Sequence, residues 1–153
     1  MAWNLYDEDG TLERHENFII RPDGYVIPEV AANIHGITTE HATEHGVPIQ
    51  DVFTALAEYL PHVSTIVAHN IRFDNSVLLS ELHRYRAYDI AEAWQKKKSV
   101  CTMLMGTRQN EKWPKLIELY KRLFGREPAE DMHRADADVR ACAECYFHMI
   151  SSK

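Results

Sequence analysis

Thr65-Ile66-Val67-Ala68-His69-Asn70-Ile71-Arg72-Phe73-Asp74 is the stretch whose reading decides the fold. Its first four residues form a short apolar run without polar alternation, the pattern of a strand covered on both faces. A polar turn follows, and from about Phe73 a helical pattern runs through Val77, Leu78 and Leu82 to Tyr85. A buried strand feeding a helix is the building unit of an α/β sheet. Taken alone, Asp74 at the start of that helix reads as a helix cap. The strand end before it shifts the weight, because ligands in open α/β sheets collect outside the carboxyl ends of the strands.

Working outward, Ala2–Tyr6 reads as a strand and Asp9-Gly10 as a hairpin turn, with a return strand from about Leu12 to Ile20 that ends at Arg21-Pro22. Pro28 opens a short helical segment through Ile34 that Gly36 closes, and Thr39 reads as the cap of a second. Pro48–Leu60 places Val52, Phe53 and Leu56 at amphipathic-helix spacing. Beyond the central stretch, Ser99–Met103 is a weaker strand signal. Helices are expected at Lys115–Phe124, stopped by Gly125, and at Ala135–Ile150. No repeat, low-complexity tract or linker interrupts this order. The expectation is a single α/β domain over residues 1–153, a mixed sheet flanked by helices.

A second carboxylate stands out on the last helix. Ala141, Cys142, Cys145 and Met149 form its inward stripe, and Asp138 lies one turn before Cys142. Asp136, about 200° around the helix at about 100° per residue, should face solvent. A carboxylate extending a buried face is costly unless it is paired or holds a metal, although a first-turn acid also complements the helix dipole. His133 lies in the loop entering the same helix, and a histidine beside such a carboxylate suits a general base.

Composition bounds the rest. A chain of 153 residues should bury roughly 70% of its unfolded surface, and 45% hydrophobic with 10% aromatic residues can fill the core. Three cysteines cannot all pair within one chain, which favours a reducing compartment. No apolar run approaches the roughly 20 residues of a membrane span, and the start lacks a signal-peptide pattern. A soluble, cytoplasmic protein without a membrane partner is expected. Seventeen basic against 23 acidic residues give a net charge of −6, which argues against polyanion binding over the whole surface. Bound metal can still invert charge locally. Cys142-x-x-Cys145 sits inside a helix with no second pair, so a buried structural role is the better reading. Lys96-Lys97-Lys98 reads as a solvated turn, and the basic residues from Lys112 to Arg126 could offset the acidic total locally.

Four segments in order resemble one family. Val67-Ala68-His69-Asn70-Ile71-Arg72-Phe73-Asp74 resembles the second motif of the DEDDh 3′–5′ exonucleases, the family of the bacterial DNA polymerase III proofreading (epsilon) subunit, also called DnaQ-like. His133-Arg134-Ala135-Asp136-Ala137-Asp138 resembles its third motif. Ala32-Asn33-Ile34-His35-Gly36-Ile37-Thr38 and the Trp113–Gly125 stretch are similar to the segments that precede the second motif and separate it from the third. The resemblance implies an RNase H-like fold, with a mixed five-stranded sheet flanked by helices. It also implies stepwise hydrolysis from the 3′ end of single-stranded DNA or RNA with two divalent cations, Mg²⁺ or Mn²⁺. Carried over, Asp138 and Asp74 would belong to the metal cluster, His133 would take the proton from the attacking water, and Asn70 and Arg72 are possible substrate contacts. A polymerase subunit would be a possible partner.

One part of the pattern is not found. The family's first motif, Asp-x-Glu on a central first strand, has no counterpart, and Ala2–Tyr6 corresponds to the family's second strand. Asp7-Glu8-Asp9-Gly10 offers acids after a strand but reads as a turn, since only one further strand precedes Pro22. The expectation is therefore a domain lacking its first strand, and inactive or weakly active alone. Either the natural chain begins upstream, or this is an inactive nucleic-acid- or protein-binding relative, or another chain or second copy completes the sheet.

Overall fold

The computed structural model describes residues 1–152. Two strands, β1 (Ala2–Tyr6) and β2 (Leu12–Asn17), pair antiparallel with a register shift between Leu5 and Tyr6. The Asp7 carboxylate accepts hydrogen bonds from the backbone N–H of Asp9 (3.0 Å) and Thr11 (2.8 Å), an Asx-type closure of the hairpin. Gly10 takes φ +85°, and a Cβ there would meet the Phe147 ring at 3.1 Å. Both constraints require glycine. The return strand is shorter than the sequence pattern suggests. It ends at Asn17 because the chain then leaves β1 to bridge Val47: Val47 N–H donates to Ile19 O (2.9 Å) and Arg21 N–H to Val47 O (2.8 Å).

Helices α1 (Glu29–His35) and α2 (Thr39–His45) follow, then α3 (Ile49–Tyr59). Thr38, not Thr39, caps α2, its hydroxyl accepting from His41 N–H at 3.1 Å. The Thr39 hydroxyl instead accepts from Ile27 N–H at 3.0 Å and ties the preceding loop down. A parallel pair comes next, β3 (Thr65–Ala68) and β4 (Lys98–Cys101) in register Thr65↔Lys98 to Ala68↔Cys101. Between them run α4 (Ile71–Arg84) and α5 (Tyr88–Gln95), forming the β-α-β crossover that a parallel pair needs. One-turn α6 (Thr102–Met105), α7 (Leu116–Phe124) and α8 (Ala135–Ser151) complete the order.

Two cores hold these layers. Phe53, Leu56, Leu60, Leu78, Leu82 and Ala91 pack α3, α4 and α5 together. Leu119, Tyr120, Ala141 and Cys145 join α7 to α8. Burying each such large apolar side chain contributes about 1.5–3 kcal/mol. The hairpin is fastened by aromatic contacts. Trp3 meets Tyr59 edge-on at 5.6 Å, Arg14 covers the Tyr59 ring at 4.1 Å, and Tyr6 meets Phe147 at 5.5 Å.

The protein is therefore α/β, an RNase H-like arrangement of small sheets flanked by helices. Its strands form two separate pairs, β1–β2 and β3–β4, and β1 and β3 are not paired with each other. Both nevertheless pack against α8. Every residue of β1 and β3 stays partly exposed, although Thr65–Ala68 has the composition of a strand covered on both faces. No helix among the described residues is long and apolar enough to cross a membrane.

Candidate active site at the end of β3

The chain leaves β3 through His69 and turns into α4 at Asn70, which adopts the left-handed conformation (φ 64°, ψ 50°). Asparagine tolerates this better than most residues. Its side chain forms no cap hydrogen bond, and the residue is exposed. The helix starts at Ile71, two residues before the apolar pattern suggests, because the turn at Asn70 sets the entry.

Asp74 lies in the first turn of α4. The buried face of that helix is Ile71, Leu78 and Leu82; Asp74, one turn before Leu78, continues this line as the sequence spacing suggests. Val77, expected on the same stripe, is instead 50% exposed. Asp74 is itself solvent-accessible, so the inward line of α4 emerges into open space near the end of β3. Neighbouring protein still withholds enough water to raise its carboxyl above the usual range; its own backbone N–H and the nearby His69 pull the other way.

Asp138 occupies the first turn of α8, half-buried. Its Oδ1 faces the backbone N–H of His133 at a long 3.4 Å. His133 is exposed and has φ 84°, uncommon for a residue with a Cβ. Arg72 is also exposed. Cys142, one turn beyond Asp138, lies within reach of the charge of both acids. Burial, foremost, pushes the Cys142 thiol up to about 11; the Thr102 hydroxyl opposes this, and the charges of Asp74 and Asp138 add to it. Burial similarly raises Cys145 to about 12. Both thiols are free and buried on the inward face of α8.

Asp136 differs from its expected solvent-facing position. It is half-buried and bonded to Arg140 (2.9 Å), with Arg134 at 3.5 Å. Burial alone would raise its carboxyl, but these cations outweigh it and hold the group below the usual range. The network also includes Glu130 bonded to Arg140 and lines an open depression of about 450 Å³. Its charges pair with one another, whereas among the described residues Asp138 makes no ion pair.

Sequence reasoning did not single out a third feature, the bonds made by His69. Its Nε2 lies 2.9 Å from Pro114 O and its Nδ1 3.0 Å from Thr102 Oγ1. A carbonyl only accepts, so Nε2 carries the proton and Nδ1 accepts from the threonine. Burial, the leading effect, lowers the ring's pKa and keeps it neutral, against the pull of Pro114 O and Asp74. Residue type alone cannot reveal such a bond, since both partners are remote in sequence.

Carboxylate oxygens are the donors that hard divalent cations prefer. Asp74 and Asp138 fit in kind but not in number: among the described residues no three His, Cys, Asp or Glu side chains converge closely enough to hold a metal ion. No curated protein matches the chain significantly. The model of the exonuclease family named for RNase T matches residues 7–146, nearly the whole chain. Since this match spans far more than half of the chain, the chain belongs to this exonuclease family, whose members are hydrolases acting on nucleic acids.

Proposed function

We propose that this chain carries the second and third motifs of a DnaQ-like 3′–5′ exonuclease centre that cleaves phosphodiester bonds from the 3′ end of single-stranded DNA or RNA. The observation that carries the reading is that Asp74 and Asp138 stand in the first turns of α4 and α8, two helices that pack against β3, with His133 at the entrance to α8. Asp74 and Asp138 would hold the Mg²⁺ or Mn²⁺ ions. Such ions, when bound, supply charge stabilisation to the attacking and leaving oxygens. His133, exposed at the rim, takes the proton of the attacking water. Asn70, whose side chain is free of capping duty, and Arg72 face the approaching strand, the guanidinium suited to a phosphate.

The remaining carboxylates are proposed to come from a further strand lying between β1 and β3. Two facts support this. Asp7 is engaged in closing its own hairpin, and β1 and β3 flank α8 without pairing to each other. Open edges of this kind invite a partner strand, whether upstream chain, a second copy or a polymerase subunit. The same facts favour a second reading, in which the chain alone is an inactive nucleic-acid- or protein-binding module.

Release of nucleotides from a 3′-labelled single strand, dependent on Mg²⁺ and abolished by Asp138→Asn, is the expected result for a centre with its sheet completed. If activity is absent with and without partner sequence, while single strands bind tightly without metal, the binding-module reading stands instead. A strictly monomeric native mass at high concentration removes self-completion.

A further inference from the structure

One tryptophan stands apart from the other two. Trp3 packs edge-on against Tyr59, and the Trp94 indole N–H donates to Asn75 Oδ1 at 2.9 Å. Trp113, in the loop between α6 and α7, is 61% exposed, and among the described residues its ring has neither an aromatic neighbour nor a hydrogen-bond partner. An indole left in water forgoes one of the largest burials a side chain can make. The loop that carries it is nevertheless fastened. Asn110 turns the chain in the left-handed conformation (φ 64°), and the Glu111 carboxylate accepts from Arg122 at 3.0 Å. Pro114 is buried, its carbonyl accepts from His69 Nε2 at 2.9 Å, and the Lys115 backbone N–H donates to Glu118 Oε2 at 2.8 Å. Proline also confines the backbone of the residue before it, here Trp113, to extended conformations. The indole is held out on a backbone fixed on both sides.

Position and charge give this exposure a meaning. His69 lies in the turn from β3 to α4, beside Asn70 and shortly before Arg72. Its bond seats the loop against that turn, and Trp113 is one residue, about 3.8 Å of chain, from the bonded proline. Of the basic residues from Lys112 to Arg126, Lys121 pairs with Glu127 at 2.5 Å, Arg122 pairs with Glu111, and Arg126 lies over the Tyr120 ring. Lys112 and Lys115 are exposed and, among the described residues, make no ion pair. In a chain of net charge −6, two free cations therefore bracket the exposed indole. A flat apolar face for a base, with cations beside it for the phosphates, is the combination that binds single-stranded nucleic acid.

We propose that Trp113 is a stacking platform for a base of the bound single strand, with Lys112 and Lys115 on the adjoining phosphates. This role rests on the nucleic-acid reading of the β3 end in one respect, that the chain takes a single strand. It needs neither a bound cation nor cleavage. Every base has a flat face, so stacking tolerates any sequence, and Trp113 holds the strand without selecting among sequences. A loop already fixed in place also loses less freedom when the strand arrives.

The test uses the whole chain with a short oligothymidylate as probe and metal chelated, following tryptophan emission and strand anisotropy together. The strand should quench part of the wild-type emission. Trp113→Ala should bind at least about fivefold more weakly and lose that quench, while Trp113→Phe should keep part of the affinity. Neither variant should move the denaturant midpoint, because the indole is exposed. An abasic strand of equal length should bind wild type and Trp113→Ala alike. Replacing both lysines, Lys112→Gln with Lys115→Gln, should flatten the slope of log affinity against log salt by about 1.4. Equal affinity of wild type and Trp113→Ala for the oligothymidylate overturns the proposal and leaves the nucleic-acid reading standing. No binding by wild type up to about 100 µM strand removes both. A midpoint that falls together with affinity marks the indole as a packing group and also overturns the proposal. So does emission that responds to protein concentration but not to the strand, the sign of a contact between copies.

Discussion

Asn70 holds a left-handed backbone without using its side chain to cap the helix that follows. Glycine would sit there with less strain, so Asn70→Gly should leave stability unchanged or raise it by up to about 1 kcal/mol. Affinity for single-stranded nucleic acid should fall in the same variant. Urea titration and strand binding measured side by side check this, and a stability loss beyond about 1 kcal/mol would assign the amide a structural role. Asp74 shows the same conflict through charge. Its carboxyl is held above the ordinary range, chiefly by burial. Such a group binds its proton in the native state first, so native stability rises as pH falls through the folded value, and the ionised form costs stability above it. Asp74→Asn should therefore raise the urea midpoint at pH 7 and remove that part of the pH dependence. The gain is modest because the residue is partly in water. An unchanged or lowered midpoint at pH 7 would show that the carboxylate is a stabilising group instead.

Along single elements, burial distinguishes residues that the apolar pattern treats alike. Leu82 is fully buried in the α3–α4–α5 core, while Val77 on the same helix is half-exposed. Leu82→Ala should cost about 2–5 kcal/mol and Val77→Ala about 0.5 kcal/mol or less, both readable from denaturant midpoints. Loss of more than about 2 kcal/mol at Val77 would put it back among the core residues. The strands β1 and β3, the helices α3, α4, α7 and α8, and the turn at Asp7–Gly10 were legible because each carries a strong local signal: alternation, a buried run, or a stop such as Gly125. Helix α5 was not, since only Ala91 on it is buried and it starts after Arg86 in a left-handed turn (φ 57°) without a polar cap. Thr102 and His69 were invisible for another reason. Their meaning lies in bonds across 33 residues of chain, which neither propensity nor periodicity records. Asp136 was misread because Arg140 and Arg134 draw it into an ion-pair network that also takes in Glu130, which its angular position on the helix does not record.

At the scale of the whole molecule, the hairpin and the parallel pair share no ladder hydrogen bonds, and β1 and β3 each pack on α8. In a continuous sheet, neighbouring strands open together. Here residues 2–17 are held by Trp3 and Arg14 on Tyr59, by Glu16 accepting from the Tyr59 hydroxyl at 2.9 Å, and by Tyr6 on Phe147. These contacts are few, and aromatic pairs add only about 0.5–1.5 kcal/mol each beyond area burial. The hairpin should therefore open as a unit of its own, below the free energy of global unfolding. Native-state amide exchange should find residues 2–17 weakly protected beside a firmer set in β3, α4 and α8. Phe147→Ala should widen that difference by releasing one of the two anchors. A strand seated between β1 and β3 would join the ladders, and the two sets should then exchange with a common opening free energy. Equal protection of β1 and β3 in the isolated chain would mean that α8 alone couples the sheets as tightly as hydrogen bonds do, and the case for an empty strand position would fall with it.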